Sequence, residues 1–213
     1  MNPGQAERFQ WIVLTIVGLV AGLALALPIG VPIFAVLGAM AGTPIVLSIV
    51  GFSVGTAQWP IIRRHMPGSG WWIAVSALGM AVGLTAGVIL VEQIGRAAVG
   101  GPINFRMIGV VGRAASFGTI GLIAGASLGF TQWLLLRRHA RHSSNWIRTN
   151  SWSLGLGLAS GSLLADALVA RTGSIAGIAI LFVVGSACAG ICTARTLAKV
   201  FSGTPREASA TDQ

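Results

Sequence analysis

Two stretches of this sequence carry the same pattern and decide the fold. Residues 51–65 read GFSVGTAQWPIIRRH, and residues 125–139 read GASLGFTQWLLLRRH. They align without a gap at an offset of 74 positions (125 minus 51), and the same register pairs further residues: Trp72 with Trp146, and Glu92 with Asp166. Self-similarity of this kind is typical of a repeat architecture.

A third, degenerate copy lies at the two ends of the chain. Trp11 with Gly18 and Gly22 repeats the spacing of Trp72 with Gly79 and Gly83, and Ser186-x-x-x-Gly190 followed by Lys199 resembles the glycine-bearing helix that ends in Arg-Arg. We therefore predict three helical hairpins in parallel orientation, at about residues 9–65, 70–139 and 146–199. They form one transmembrane domain over residues 1–201, and the polar tail 202–213 is expected to be disordered.

Composition places the chain in the membrane. Hydrophobic residues make up 54% of its 213 residues and charged residues only 9%, with a mean hydropathy of +0.81. Soluble domains are about a quarter charged. Six apolar stretches are long enough to cross a bilayer and must then be helical: Trp11–Gly30, Ile33–Trp59, Trp72–Val91, Ala115–Leu136, Ser151–Ala170 and Ser174–Ala194. The predicted fold class is an all-α membrane protein.

Two segments between these stretches need separate predictions. Pro28 and Pro32 indicate a short turn between the first two spans. The segment 92–114 is too polar to cross the membrane and too apolar for a free loop, so we expect an interfacial or re-entrant piece. The N-terminus imitates a signal peptide around Ala24-Leu25-Ala26, but the repeat needs this helix, which favours an uncleaved span.

The net charge of +9 is distributed unevenly. Ten basic residues fall on one side of the predicted membrane and four on the other, which predicts a multi-pass protein of the bacterial plasma membrane with both termini in the cytoplasm. Basic residues at the ends of apolar runs contact anionic headgroups, so a nucleic-acid partner is not expected. The candidate anionic-lipid contacts are Arg63, Arg64, His65, Arg137, Arg138 and His139.

The doubled pattern resembles short bacterial multi-pass membrane proteins that carry a Gln-Trp-x-x-x-Arg-Arg hairpin repeat. The resemblance extends over about Gly51 to Leu158, and it implies a hairpin architecture without implying an activity. Three parallel hairpins are also similar to the pseudo-threefold plan of mitochondrial carriers, but the Pro-x-Asp/Glu-x-x-Lys/Arg signature of those carriers is absent.

Small residues four apart predict close helix packing. The candidate packing positions are Gly51, Gly55, Gly79, Gly83, Gly125 and Gly129. Tryptophans near the ends of the spans are expected at headgroup depth, where an amphipathic ring is favourable: Trp11, Trp59, Trp72, Trp133 and Trp146.

Four polar residues are candidates for a polar path through the bundle: Gln58, Gln132, Glu92 and Asp166. For the glutamines, the alternative is an interhelical hydrogen bond. For the acids, it is an ion pair at the membrane interface, because Arg96 follows Glu92 by four residues and Arg171 follows Asp166 by five.

No catalytic set stands out, and an enzyme is not expected. Gly51–Gly55 and Gly125–Gly129 both fit G-x-S-x-G, but that motif needs a strand-to-helix turn and a base near the serine. Cys188 and Cys192 have no third ligand nearby, and His65, His139 and His142 lie in basic loops, so neither a metal nor a haem site is indicated. The cofactor question stays open.

Three functions remain. The first is a non-enzymatic scaffold or accessory subunit that packs through small-residue faces, in a homo-oligomer or a larger membrane complex. The second is a small transporter or channel with the four polar residues along its path. The third is a binder of an apolar ligand, such as a lipid, quinone, isoprenoid or pigment, held between the hairpins.

Overall fold

The computed structural model describes residues 3–66, 68–100, 108–138, 143–172 and 176–202, and this part of the chain is helical apart from short turns. One helical run, Pro3–His65, is divided by a kink at Gly38. We number the helices α1 (Gly4–Gly38), α2 (Ala41–His65), α3 (Trp71–Val99), α4 (Val110–Leu136), α5 (Asn145–Thr172) and α6 (Ala176–Ser202). Within the described residues, all six include a segment long and apolar enough to cross a membrane, which is compatible with an integral membrane protein.

The six helices form a closed ring. Each helix packs against the next one along the chain, and α6 packs against α1. Neighbouring helices are antiparallel: in the first pair, Gly18 lies against Val54 and Gly22 lies against Val50. Helices that are not neighbours in the ring meet through side chains, as where Trp11, Trp72 and Trp146 contact one another.

Glycine lies at every interface of the ring. At each of these glycines, a Cβ atom would lie within van der Waals distance or closer to the facing helix, and at most of them it would overlap. Small residues let helices approach until their backbones touch. In lipid, where the hydrophobic effect does not drive helices together, this close packing stabilises their association. The glycines are Gly18 and Gly22 against α2, Gly51 and Gly55 against α3, Gly79 and Gly83 against α4, Gly125 and Gly129 against α5, Gly157 against α6, and Gly190 against α1.

The outer surface of the ring is as apolar as its interior. Leu27, Val36, Val111 and Leu156 are all more than half exposed. A helix that is apolar all round is a helix surrounded by lipid or protein on every side. The outward faces therefore suit contact with acyl chains.

The break between the first two helices was predicted at Pro28 and Pro32, and the structure places it at Gly38. Both prolines lie inside α1, which runs for 35 residues, about 52 Å at the usual rise. Proline is tolerated within a membrane helix because its neighbours satisfy the freed carbonyl groups. Gly38 ends the helix because it adopts φ 71°, a left-handed conformation that glycine reaches without strain.

An interfacial or re-entrant piece was predicted over 92–114, and the described ends of this segment belong to regular helices. Helix α3 continues to Val99 and ends at Gly100, which has the left-handed conformation of a helix C-cap. Helix α4 begins at Val110, and residues 101–107 lie outside the described residues. In the described parts of this segment, Glu92, Arg96 and Arg113 are carried on regular helix.

The last helix continues to Ser202, beyond the predicted end of the last apolar span at Ala194. The sequence reading stopped at the first basic residue, whereas the helix carries Arg195 exposed on its outer face and continues beyond it. The predicted disordered tail, residues 202–213, lies outside the described residues except for Ser202, the last residue of α6.

Gly125 gives the sharpest test of the packing. We expect Gly125→Ala to lower the free energy of unfolding by about 1–3 kcal/mol, because the new methyl group would overlap the backbone of α5, including Ser151 Cα at 2.7 Å. The measurement is a denaturation curve in detergent or lipid. Gly4→Ala is the control, since nothing lies within 4 Å of its added Cβ. Equal curves for the two variants would contradict the packing assigned to Gly125.

Candidate lumenal site

The odd-numbered helices each turn one stripe of residues towards the centre of the ring. Residues four apart lie on the same face of a helix, and each stripe starts with tryptophan, continues with a small polar residue and ends with two larger apolar residues. The stripes are Trp11, Thr15, Leu19 and Leu23 on α1, Trp72, Ser76, Met80 and Leu84 on α3, and Trp146, Asn150, Leu154 and Leu158 on α5.

Three tryptophans meet at the centre of one end of the ring. Trp11, Trp72 and Trp146 are at most 1% exposed. Their ring centroids are 6.0–6.5 Å apart and their planes cross at 63–73°, so each indole presents an edge to a face of another. Edge-to-face contacts of this geometry are favourable beyond the area they bury. We call this group the tryptophan cluster; it closes the ring at the end where α1, α3 and α5 begin.

This burial corrects the headgroup position predicted for these three tryptophans. Their spacing along the sequence matches an interfacial belt, but their rings point inward, against one another. Trp59 and Trp133, by contrast, are half-buried on even-numbered helices and lie beneath arginines. The prediction failed for the first three because the sequence gives the depth of a residue in the membrane and not the side of the helix it occupies.

Each indole N–H of the tryptophan cluster has an acceptor on an even-numbered helix. Trp146 Nε1 donates to Gln132 Oε1 at 2.9 Å, and Trp72 Nε1 donates to Gln58 Oε1 at 3.4 Å. The third indole, on Trp11, donates to Thr193 Oγ1 at 2.9 Å. An indole N–H taken out of water needs such a partner, and a membrane core supplies no water.

The two glutamines also donate to the polar residue of a neighbouring stripe. Gln58 Nε2 donates to Thr15 Oγ1 at 3.0 Å, and Gln132 Nε2 donates to Ser76 Oγ at 2.9 Å. Each glutamine thus joins the helix before it to the helix after it in the ring. Together these residues form a polar layer next to the tryptophan cluster: Thr15, Gln58, Ser76, Gln132, Asn150 and Thr193.

Beyond the polar layer lies an elongated apolar cavity. It holds about 70 Å³ of space for the centres of water-sized groups, and all six helices line it. Besides members of the polar layer, its walls include Trp11, Trp146, Phe182 and Ser186 and are otherwise formed by aliphatic residues and Gly185; we call this cavity the lumen.

The four candidates for a polar path lie in two different places. Gln58 and Gln132 line the lumen at the polar layer. Glu92 forms an ion pair with Arg96 one turn further along α3, and both side chains are about half exposed. Arg113 Nε donates one bifurcated hydrogen bond to Asp166 Oδ1 and Oδ2, at 3.1 and 3.0 Å, and this pair joins α5 to α4. Neither acid is among the lining residues of the lumen.

The candidate lipid contacts lie on the outside of the ring, at the end of the tryptophan cluster. The Arg63 guanidinium lies 4.8 Å from the ring centroid of Trp59, and Arg137 lies 5.2 Å from that of Trp133. Arg64 and Arg138 are exposed at the same end. His65 Nε2 lies 2.6 Å from Glu7 Oε1, and the His65 ring stacks on Phe201. His139 lies outside the described residues.

The residues described do not bring together three or more metal-binding side chains. Cys188 is half-buried and Cys192 exposed, and both are free thiols. The chain matches no protein-family model, and no curated protein or solved structure matches it at a significant level. The argument for function therefore depends on the ring, the tryptophan cluster and the lumen.

Sequence reasoning identified the glutamines but missed the residues that complete the polar layer. Thr15, Ser76 and Asn150 each follow a buried tryptophan by four residues, so the pattern Trp-x-x-x-Thr/Ser/Asn was present three times in the sequence. The sequence analysis did not identify this pattern because the type of the polar residue changes between copies. Thr193 was missed for the same reason, since it stands where the other copies have glutamine.

The polar layer predicts unequal costs for its two glutamines. Gln132→Leu leaves the Trp146 N–H and the Ser76 hydroxyl without their partner, and we expect it to cost about 1–3 kcal/mol of unfolding free energy. Gln58→Leu should cost less, because its bond from Trp72 is longer. The measurement is unfolding in mixed micelles, with Thr56→Val as a control, since Thr56 is exposed and donates only within its own helix. A Gln132→Leu curve that matches this control would contradict the role assigned to the layer.

Proposed function

We propose that this protein is a membrane-embedded binding protein that holds one apolar chain in the lumen of its helix ring. The observation that supports this is the lumen itself: an elongated, largely aliphatic cavity lined by all six helices and adjoining the tryptophan cluster at one end. A concave apolar space with a few polar groups at one end is the usual form of a small-molecule site.

The shape of the lumen favours a linear chain. Its wall extends from the level of Trp11 to that of Leu23, which are 12 residues apart and therefore about 18 Å apart along the helix. A volume of about 70 Å³ spread over that length is a narrow tube. An acyl or alkyl chain fits such a tube, whereas a fused-ring pigment or a quinone ring would need the helices to separate.

A scaffold role has less support from this geometry. Its motivation was the abundance of small-residue helix faces available for partners. In the ring those faces are occupied: Gly51, Gly79 and Gly125 each face the next helix of the same chain. What the outer surface offers instead is large aliphatic side chains, which suit lipid.

A transport role has one supporting observation and one against it. Gln58 and Gln132 face the lumen, as a path would require. Their amide groups, however, are engaged with Trp72 and Trp146 and with Thr15 and Ser76, and the lumen beyond them is apolar. A polar solute would lose its hydration there without replacement. We therefore place binding ahead of transport.

We further propose that the ring consists of three hairpin repeats around a pseudo-threefold axis. The support is a contact that recurs three times, in which the glycine of an even-numbered helix lies against the isoleucine that follows a buried tryptophan. A Cβ added at Gly55 would lie 3.0 Å from Ile73 Cα, one at Gly129 2.8 Å from Ile147 Cα and one at Gly190 3.3 Å from Ile12 Cα. One contact in one register at three interfaces is what repetition of a hairpin produces.

The tryptophan-cluster end is proposed to face the cytoplasm of a bacterial plasma membrane. Arg8, Arg63, Arg137, Arg148 and Lys199 lie at this end, and basic residues are retained on the cytoplasmic side. The same residues would contact anionic headgroups there. The lumen would then extend from the cytoplasmic end towards the opposite leaflet.

Filling the lumen tests the binding proposal. We expect Ala189→Leu, which extends a side chain into the lumen, to remove most of the acyl or alkyl chain that copurifies with the protein from native membranes, measured by mass spectrometry of the extracted lipid. Ala86→Leu makes the same change on an exposed outer face and should leave that amount unchanged. Equal amounts from both variants, or none from the wild-type chain, would contradict lumenal binding.

Orientation is tested with two glycines that have open space around them. Gly70 lies at the tryptophan-cluster end and Gly109 at the opposite end, and no atom lies within 4 Å of a Cβ added to either. In a background without Cys188 and Cys192, we expect a membrane-impermeant maleimide to label Gly109→Cys in intact spheroplasts and to label Gly70→Cys only after lysis. The reverse pattern would place the termini outside the cytoplasm.

A further inference from the structure

We propose that the chain held in the lumen is an unbranched alcohol whose terminal hydroxyl donates a hydrogen bond to Asn150 Oδ1. This assignment rests on the proposed binding function and names the ligand class and its orientation. The hydroxyl lies deep, at the polar layer, and the hydrocarbon extends away from the tryptophan cluster.

Asn150 is a buried polar side chain directed into the lumen. It is 4% exposed and belongs to the lumen wall. Its Nδ2 atom donates to the backbone carbonyl of Trp146 at 2.9 Å, which fixes the orientation of the amide, since a carbonyl oxygen accepts only from the NH₂ group. Among the residues that the structure describes, no hydrogen bond reaches Oδ1.

The corresponding residues on the other two odd-numbered helices are satisfied within the protein. Thr15 and Ser76 each accept a hydrogen bond from a glutamine side chain. The residue that takes the place of glutamine on α6 is Thr193, whose shorter side chain accepts from Trp11 and donates to the carbonyl of Ala189 at 2.6 Å. Asn150 therefore lacks the donor that its two counterparts have.

Helix α6 also carries smaller lumen-lining residues than the corresponding helix α2. In the aligned repeats, Thr193 corresponds to Gln58, at an offset of 135 positions (193 minus 58). At the same offset, Gly185 corresponds to Val50 and Ala189 corresponds to Val54. All of these residues line the lumen. Two valines are thus replaced by a glycine and an alanine, and at Gly185 the side chain of Leu158 approaches in their place, since a Cβ added there would lie 2.8 Å from Leu158 Cδ2.

The chemistry of Asn150 Oδ1 selects the ligand. A carbonyl oxygen accepts and cannot donate, so the group that satisfies it must carry O–H or N–H. A charged ammonium group or a sugar would lose its hydration in the aliphatic lumen without gaining enough hydrogen-bond partners, which is unfavourable. A single hydroxyl on a linear hydrocarbon supplies one donor and otherwise only apolar surface, which matches one acceptor in an apolar lumen.

The first experiment compares two probes with the same number of heavy atoms. 1-Dodecanol donates a hydrogen bond, whereas 1-methoxyundecane only accepts. We expect dodecanol to bind the wild-type chain in lipid nanodiscs about two- to tenfold more tightly, measured by native mass spectrometry, and Asn150→Leu to abolish that difference. Gln10→Leu is the control, because Gln10 is exposed and away from the lumen.

A second measurement reads the orientation in the wild-type chain and does not depend on whether Asn150→Leu folds. Bromine quenches nearby indole fluorescence, and the tryptophan cluster lies next to the polar layer. We expect 2-bromo-1-dodecanol to quench more strongly than 12-bromo-1-dodecanol, because its bromine lies beside the hydroxyl. Stronger quenching by the 12-bromo compound would overturn the orientation.

The outcomes separate this inference from the function on which it rests. If both unbrominated probes bind and bind equally, the lumen takes an apolar chain but Asn150 does not select an alcohol, as when a water molecule satisfies Oδ1, and the inference fails alone. If neither probe binds, the proposed function fails with it. Tighter binding of dodecanol that Asn150→Leu removes, together with stronger quenching by the 2-bromo compound, supports both.

Discussion

Backbone contact at glycine is the constraint on which the rest of this structure depends. In lipid, two apolar helices gain little by hiding apolar surface from each other, so they associate through close packing and hydrogen bonds. Here a glycine lies at each interface around the ring, including Gly190, which closes the circle between the last helix and the first. A ring of six closely spaced helices leaves a narrow space at its centre, and the size of the lumen follows from that spacing.

The tryptophan cluster is a consequence of the same geometry. Three helices that start at one end of a ring can direct large side chains towards its axis, and three indoles in edge-to-face contact fill the middle. Once there, each indole N–H is shielded from water and needs an acceptor. The intervening helices supply those acceptors, on Gln58, Gln132 and Thr193. Burial of the tryptophan cluster therefore depends on the polar layer beside it.

The sequence predicted the number of membrane-length helices because apolar length alone determines it. Their boundaries were harder, since Pro28 and Pro32 do not interrupt a membrane helix and Gly38 does. The inward direction of Trp11 could not be read from its depth, because an interfacial belt and an axial cluster use the same positions along the chain. Gln132 was recognised as needing a partner, but its partners depend on which helices are neighbours, and hydropathy carries no such information.

The departure from symmetry in the third hairpin bears most directly on function. If packing alone shaped the polar layer, a third glutamine in place of Thr193 would complete it, since Gln58 and Gln132 already show that this side chain fits. Asn150, by contrast, has an acceptor that no described neighbour satisfies, and it lines the open lumen. A buried unsatisfied acceptor costs stability, and so does unfilled apolar volume. Two costs at one place are more readily explained by a molecule that occupies the space than by two separate defects in packing.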